Sequence, residues 1–178
     1  LAGLIFHELA HQVVYVKNES AFNESFATFV EEVGVQQWLR SSGDKRALAA
    51  YQSSRVWRSW VVNQVIAHRT SLADLYATKF VAEVMRKEKR LLFARFRERY
   101  ERKRSAGQHP TAWDHWVDGE PNNAKLNAIA TYQQFVPAFQ QLFELSGSNF
   151  TIFLDKVRAL GDVTPAERLH RLANLMLL

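Results

Sequence analysis

The residues best suited to chemistry lie near the start of the chain, in the segment His7-Glu8-Leu9-Ala10-His11. Side chains four positions apart on a helix lie on the same face one turn apart, so His7 and His11 can point at one metal ion. Glu8 would lie beside that ion and hold a water bound to it. The segment therefore predicts a zinc site with a catalytic glutamate, which takes the proton of the water as it attacks a carbonyl.

This pattern is rarely produced by chance. In a chain of 178 residues with 6 His and 12 Glu, His-Glu-x-x-His is expected about 0.013 times. The alternative is a helix whose histidines face water or each other. We expect a largely buried helix instead, because apolar residues surround the motif: Leu4, Ile5, Phe6, Leu9, Ala10, Val13 and Val14. Histidines and a glutamate buried without a partner would be costly, which favours a bound ion.

A second helix can supply a third ligand. The first helix should run to about Val16, and Ser20 is a candidate N-cap for a second that ends near Gly43. A short link makes the two helices antiparallel, so Glu24, in the first turn of the second, faces the two histidines. The chain has no cysteine, which excludes thiolate ligands and leaves His and carboxylate to hold zinc.

The rest of the chain also has helical periodicity, and we expect one all-α domain over residues 1–178. Two long helices, Asp44 to His68 and Leu72 to about Lys103 with Thr70-Ser71 as cap, should form a hairpin packed on the zinc-site pair. An irregular segment follows from Thr111 to Asn123. The last helices are expected at residues 124–146, 149–160 and 164–175.

Basic charge is concentrated between Arg86 and Arg104, where ten Lys and Arg face three Glu. Such a run can bind nucleic acid. Apolar residues are interleaved at helical spacing, however, which favours the solvated face of a long helix. We therefore expect no nucleic-acid partner.

The motifs resemble those of the putative zinc aminopeptidase family of Gram-negative bacteria, which is gluzincin-like. The resemblance rests on five blocks: Ile5 to Gln12, Tyr15-Val16-Lys17, Ala21 to Ala27, Pro121 to Ala124, and Ala130 to Phe139. It implies zinc bound by His7, His11 and Glu24, with Glu8 as general base. It also implies a periplasmic or cell-envelope protein whose upstream, sheet-containing part is missing here and could carry a membrane anchor.

Two features depart from the best-known gluzincins. Their second motif usually lies farther from the first, whereas only 12 residues separate His11 from Glu24. Some carry an acid four residues after the glutamate ligand, where this chain has Thr28. Glu31, two turns after Glu24 on the same face, is our candidate for the carboxylate that orients a ligand histidine. The alternative is an ordinary exposed acid.

Peptide hydrolysis also needs a donor for the developing oxyanion. Tyr132 lies in a family-like block and is our first candidate, with His109 and His115 next. Tyr132 could equally be a packed aromatic residue whose hydroxyl bonds a carbonyl. An aminopeptidase further needs an acidic anchor for the free amine of its substrate, for which Asp114, Asp118 and Glu120 are available.

The sequence thus predicts a zinc peptidase acting on peptide or protein substrates, with aminopeptidase activity implied by the resemblance. One alternative is a zinc endopeptidase, which would also cleave blocked peptides. The other is a non-catalytic helical binding module in which a fourth protein ligand closes a structural zinc site.

Overall fold

A computed structural model describes residues 1–107, 110–119 and 122–177 of the chain. The helices are α1 (Ala2–Val13), α2 (Ser20–Ser41), α3 (Lys45–Tyr76), α4 (Ala82–Ser105), a 3-10 turn (Thr111–Trp113), α5 (Asp114–Asp118), α6 (Asn123–Gln133), α7 (Val136–Glu144), α8 (Phe150–Gly161) and α9 (Pro165–Leu175). No strand occurs within these ranges, so the predicted all-α fold is confirmed.

The break between the two long helices was predicted in the wrong place. The Thr70 and Ser71 hydroxyls donate to the carbonyls of Ile66 and Ala67, one turn back. Such bonds keep both residues inside a helix rather than capping a new one. Helix α3 therefore continues to Tyr76, and α4 begins at Ala82.

The segment predicted as one helix over residues 124–146 is two helices, α6 and α7, which are separated at Gln134 and Phe135. Pro137 lies in the first turn of α7, where its missing N–H has no partner to lose. The proline therefore starts a helix here and interrupts the longer one.

Helix α1 is less buried than its apolar composition predicted. Ala10 is its one buried residue, and Leu4, Ile5 and Leu9 are exposed. The composition of a helix shows how apolar it is, but the burial of its side chains depends on whether another element covers them. The ring of Phe6 does pack against α2, at Gly34, where a Cβ would lie 2.8 Å from the ring.

The chain forms two compact units, which we call the terminal unit (Leu1–Leu48 and Thr131–Leu178) and the central unit (Ala49–Ala130). The interpretation of the whole chain as one domain stays a prediction. In the terminal unit, α2 is buried on most of its sides over its first three turns, because α1, α7 and α8 residues pack around it. Its core is rich in phenylalanine: Phe22, Phe26, Phe29, Phe139, Phe143 and Phe153.

The central unit contains the antiparallel hairpin of α3 and α4. The ring of Trp57 lies 5.9 Å from that of Tyr100, and the ring of His68 lies 4.5 Å from that of Phe93, so the contacts run in opposite directions along the two helices. Val61, Val65, Leu72 and Phe96 of the two helices also belong to this core, together with Val117 and Leu126. None of the helices in the described ranges combines the length and apolarity that crossing a membrane requires.

Candidate metal centre

Three side chains of the terminal unit converge on one point between α1 and α2. Nε2 of His7 lies 3.3 Å from Oε2 of Glu24, and Nε2 of His11 lies 3.8 Å from the same oxygen. The side chains of His7, His11 and Glu24 are 12%, 18% and 24% exposed, so they are largely shielded from water. One ligand atom from each lies within 4.8 Å of the others, and this arrangement can hold a metal ion.

The turn between α1 and α2 brings Glu24 to the histidines. Asn23 is buried, and its amide clamps the turn: its oxygen accepts from the Val16 N–H at 2.9 Å, while its nitrogen donates to the Val16 carbonyl at 2.8 Å. Asn18 adopts a positive φ of 64°, a conformation that asparagine tolerates better than most residues. The chain can therefore reverse within a few residues, as the short spacing between His11 and Glu24 requires.

Glu31, our candidate for the carboxylate that orients His7, lies on the other side of that ring. Its Oε2 is 3.4 Å from Nδ1 of His7, so both ring nitrogens face carboxylates. Helix α1 makes room for this contact with a glycine, because a Cβ at Gly3 would lie 2.9 Å from Oε1 of Glu31. The pair fixes the orientation of the His7 ring.

Tyr132, near the end of α6, stands at the same point. Its hydroxyl donates a hydrogen bond to Glu24, and its ring stacks on that of His7 with the centroids 6.2 Å apart. The negative charge of Glu24 raises the pKa of the phenol, with smaller contributions from desolvation, from the hydrogen bond and from the charge of Glu8. The phenol is therefore held in its protonated, hydrogen-bond-donating form.

Ser25 ties Tyr132 to the site. Its buried hydroxyl donates to the Thr131 carbonyl at 3.3 Å and accepts from the Phe135 N–H at 3.1 Å. It thus fastens the junction of α6 and α7 to the second turn of α2, where Glu24 lies. Three successive residues have three tasks: Asn23 closes the turn, Glu24 faces the histidines, and Ser25 holds the segment that carries Tyr132.

Glu8 follows His7 on α1 and is exposed. Helical geometry turns it about 100° away from His7, out of the shielded interface with α2. It is still close enough to Tyr132 for its charge to raise the pKa of the phenol. The group therefore combines a cluster able to hold a cation, an accessible carboxylate and a phenol.

The other predicted site residues are placed differently. Asp114 accepts a hydrogen bond of 2.6 Å from the Tyr100 hydroxyl, and Arg104 lies 3.9 Å from Asp114 and 3.6 Å from Asp118. Both carboxylates thus already face a cation within the central unit, where His115 is exposed. His109 and Glu120 lie outside the described residues.

The sequence interpretation missed the roles of Asn23 and Ser25. One signal was present for each: a polar residue beside Glu24, in a helix turn otherwise rich in Phe and Ala, has to find a hydrogen-bond partner if it is buried. The identity of those partners could not be read from the sequence, because the partners of Ser25 are more than a hundred residues away along the chain.

Comparison with known proteins gives one match. The model of a family described as "Putative aminopeptidase" matches residues 1–172. No curated protein and no solved structure gives a significant match. The matched range includes His7, Glu8, His11, Glu24 and Tyr132, and the family description indicates a peptidase. The chain belongs to the putative aminopeptidase family.

Proposed function

We propose that the chain is a zinc-dependent aminopeptidase in which His7, His11 and Glu24 bind zinc and Glu8 is the general base. The observation that carries this proposal is the convergence of two imidazole nitrogens and one carboxylate oxygen beside an exposed glutamate. Membership of a peptidase family supports the reaction type.

The donor set fits zinc. Two ligands bound at about 2.0–2.1 Å and at a tetrahedral angle lie about 3.3 Å apart. The distances from Oε2 of Glu24 to the Nε2 atoms of His7 and His11, 3.3 and 3.8 Å, are close to this value. Within the described ranges no fourth His, Asp or Glu joins the cluster. Three protein ligands and an open position are typical of catalytic zinc, which favours an enzyme over a binding module with a structural zinc.

Each residue of the centre then has a task in peptide hydrolysis. When bound, zinc would polarise a water and lower its pKa toward neutrality. Glu8 takes the proton of the attacking water and passes it to the leaving amine. Tyr132, whose hydroxyl donates to Glu24 in the absence of substrate, would donate instead to the oxygen on which negative charge develops. Glu31 accepts from Nδ1 of His7, which leaves Nε2 free to face the metal.

The test compares bound zinc and peptide hydrolysis in the wild type and in Glu8→Gln, with Glu144→Gln as control because Glu144 is an exposed glutamate of the same unit. Glu8→Gln should keep its zinc and lose turnover by about 10²–10⁴-fold, the usual contribution of a general base. Glu144→Gln should match the wild type. Equal turnover in Glu8→Gln and wild type, or a wild type that takes up no zinc at neutral pH, would refute the proposal.

Two further experiments test the role of Tyr132 and the type of peptidase. Tyr132→Phe should lower kcat by roughly 10²-fold and keep zinc bound, since it removes one oxyanion donor and no ligand. Peptides with free and blocked amino termini distinguish the type of peptidase. Cleavage of the free peptides alone supports an aminopeptidase, and equal cleavage of both would show an endopeptidase.

A further inference from the structure

The connection between α3 and α4 exposes several large apolar side chains. Phe80 and Val81, which precede α4, are 51% and 69% exposed, and Val84 and Leu91 on α4 are 39% and 40% exposed. We call these four residues the connection patch. Phe80 and Val81 lie between the two helices without helical structure of their own, at the turn of the hairpin. Apolar side chains grouped at a turn in this way mark a binding surface more often than isolated ones do.

The helical part of the patch points away from the hairpin core. Phe96, on the inner face of α4, is buried against His68 of α3, with their rings 5.1 Å apart. Leu91 precedes Phe96 by five residues, which turns its side chain about 140° away from that inner face. Val84 and Leu91 are seven residues apart and so share the outer face.

Positive charge predominates around the patch, where Glu83 is the one exposed acid between residues 79 and 91. Lys79, Arg86, Lys87 and Arg90 are exposed, and Lys87 lies between Val84 and Leu91 on the outer face. The central unit as a whole carries fifteen Lys and Arg against eight Asp and Glu, a net charge of +7, whereas the terminal unit carries eight against ten, a net charge of −2. The excess positive charge of the chain therefore lies entirely in the unit that carries the patch.

Apolar side chains flanked by lysine and arginine match the chemistry of an anionic bilayer surface, where acyl chains lie beneath phosphates. A nucleic acid would bind the cations through its backbone phosphates, but those phosphates provide no apolar surface for the side chains of the patch. A protein partner would need an acidic rim around an apolar centre, a pattern that a bilayer of acidic lipids presents at every point. We propose that the connection patch and its flanking cations bind the interface of an anionic lipid bilayer, independently of the metal centre.

The test is sedimentation of the full chain with vesicles of phosphatidylglycerol mixed with phosphatidylcholine, and with vesicles of phosphatidylcholine alone. The wild type should bind the mixed vesicles at least tenfold more tightly, with binding weakened by salt. Phe80→Ser/Val81→Ser should lose tenfold or more of this affinity, whereas Val56→Ser, an exposed valine of the same unit, should not. Arg86→Gln/Arg90→Gln should bind more weakly than Arg97→Gln/Arg102→Gln, which removes the same charge farther along α4.

Each outcome supports or overturns the proposal. The substituted residues are exposed, so circular dichroism should show unchanged folding in all variants. If wild type fails to bind the mixed vesicles, the proposal is wrong. If binding depends on Arg86 and Arg90 but is unchanged in Phe80→Ser/Val81→Ser, the surface is a general polyanion site, such as one for nucleic acid, and the proposal is also wrong. Vesicle binding in this test does not depend on zinc binding or on peptidase activity, because none of the variants alters a residue of the metal centre.

Discussion

A buried histidine should make the central unit sensitive to acid. His68 is 1% exposed, and its Nε2 has no hydrogen-bond partner among the residues described. The rings of Phe93 and Phe96 lie 4.5 and 5.1 Å from its own. Desolvation by this burial, with a smaller contribution from the charge of Arg99, lowers the pKa of His68 from 6.5 to about 4.

The size and sign of the effect follow from this shift. Between pH 6.5 and about pH 4 the unfolded chain binds a proton at His68 that the folded chain does not bind. The free energy of unfolding therefore falls as the pH falls through this window, and a shift of about 2.5 pKa units corresponds to a loss of about 3 kcal/mol. Replacing His68 with leucine should remove this loss, because leucine stays apolar at every pH.

The assay is urea unfolding of the wild type and His68→Leu at neutral pH and at pH 4, followed by tryptophan fluorescence. Four of the five tryptophans, Trp57, Trp60, Trp113 and Trp116, belong to the central unit, so the signal reports mainly on it. On acidification the variant should gain about 3 kcal/mol relative to the wild type. The exposed His115 provides the control, since His115→Leu should show no such gain. Parallel pH profiles for His68→Leu and wild type would refute the argument.

Two further predictions concern the terminal unit. Glu31→Gln should weaken zinc binding about 10–100-fold, measured by competition with a chelator, because His7 loses its charged partner. An unchanged affinity would show that Glu31 does not contribute to zinc binding. Arg168→Met should lower the free energy of unfolding by about 3–5 kcal/mol in a urea titration, since the buried guanidinium pairs with Glu19 at 2.9 Å and donates to three carbonyls at and just beyond the end of α8. A loss below about 1 kcal/mol would show that solvent replaces those bonds.

The sequence alone indicated which side chains the structure brings together between α1 and α2. Helical periodicity determines that His7 and His11 share a face and that Glu8 follows beside them, because these relations depend on local geometry. The short link to α2 restricts Glu24 to the neighbourhood of the histidines for the same reason. Glu31 also follows from local geometry, two turns beyond Glu24 on the same helix. The all-α class was equally accessible, since periodic apolar positions recur along most of the chain.

The tertiary structure decided what local rules leave open. Tyr132 enters the sequence interpretation through family resemblance, and its contact with Glu24 depends on Ser25 binding a segment more than a hundred residues away. Thr70 and Ser71 have the composition of a cap, but their hydroxyls bond back into α3. Leu4, Ile5 and Leu9 of α1 are a third example, because they are apolar and yet exposed. Spacing along a helix determines which side chains point together, whereas burial and hydrogen-bond partners depend on which distant segments pack there.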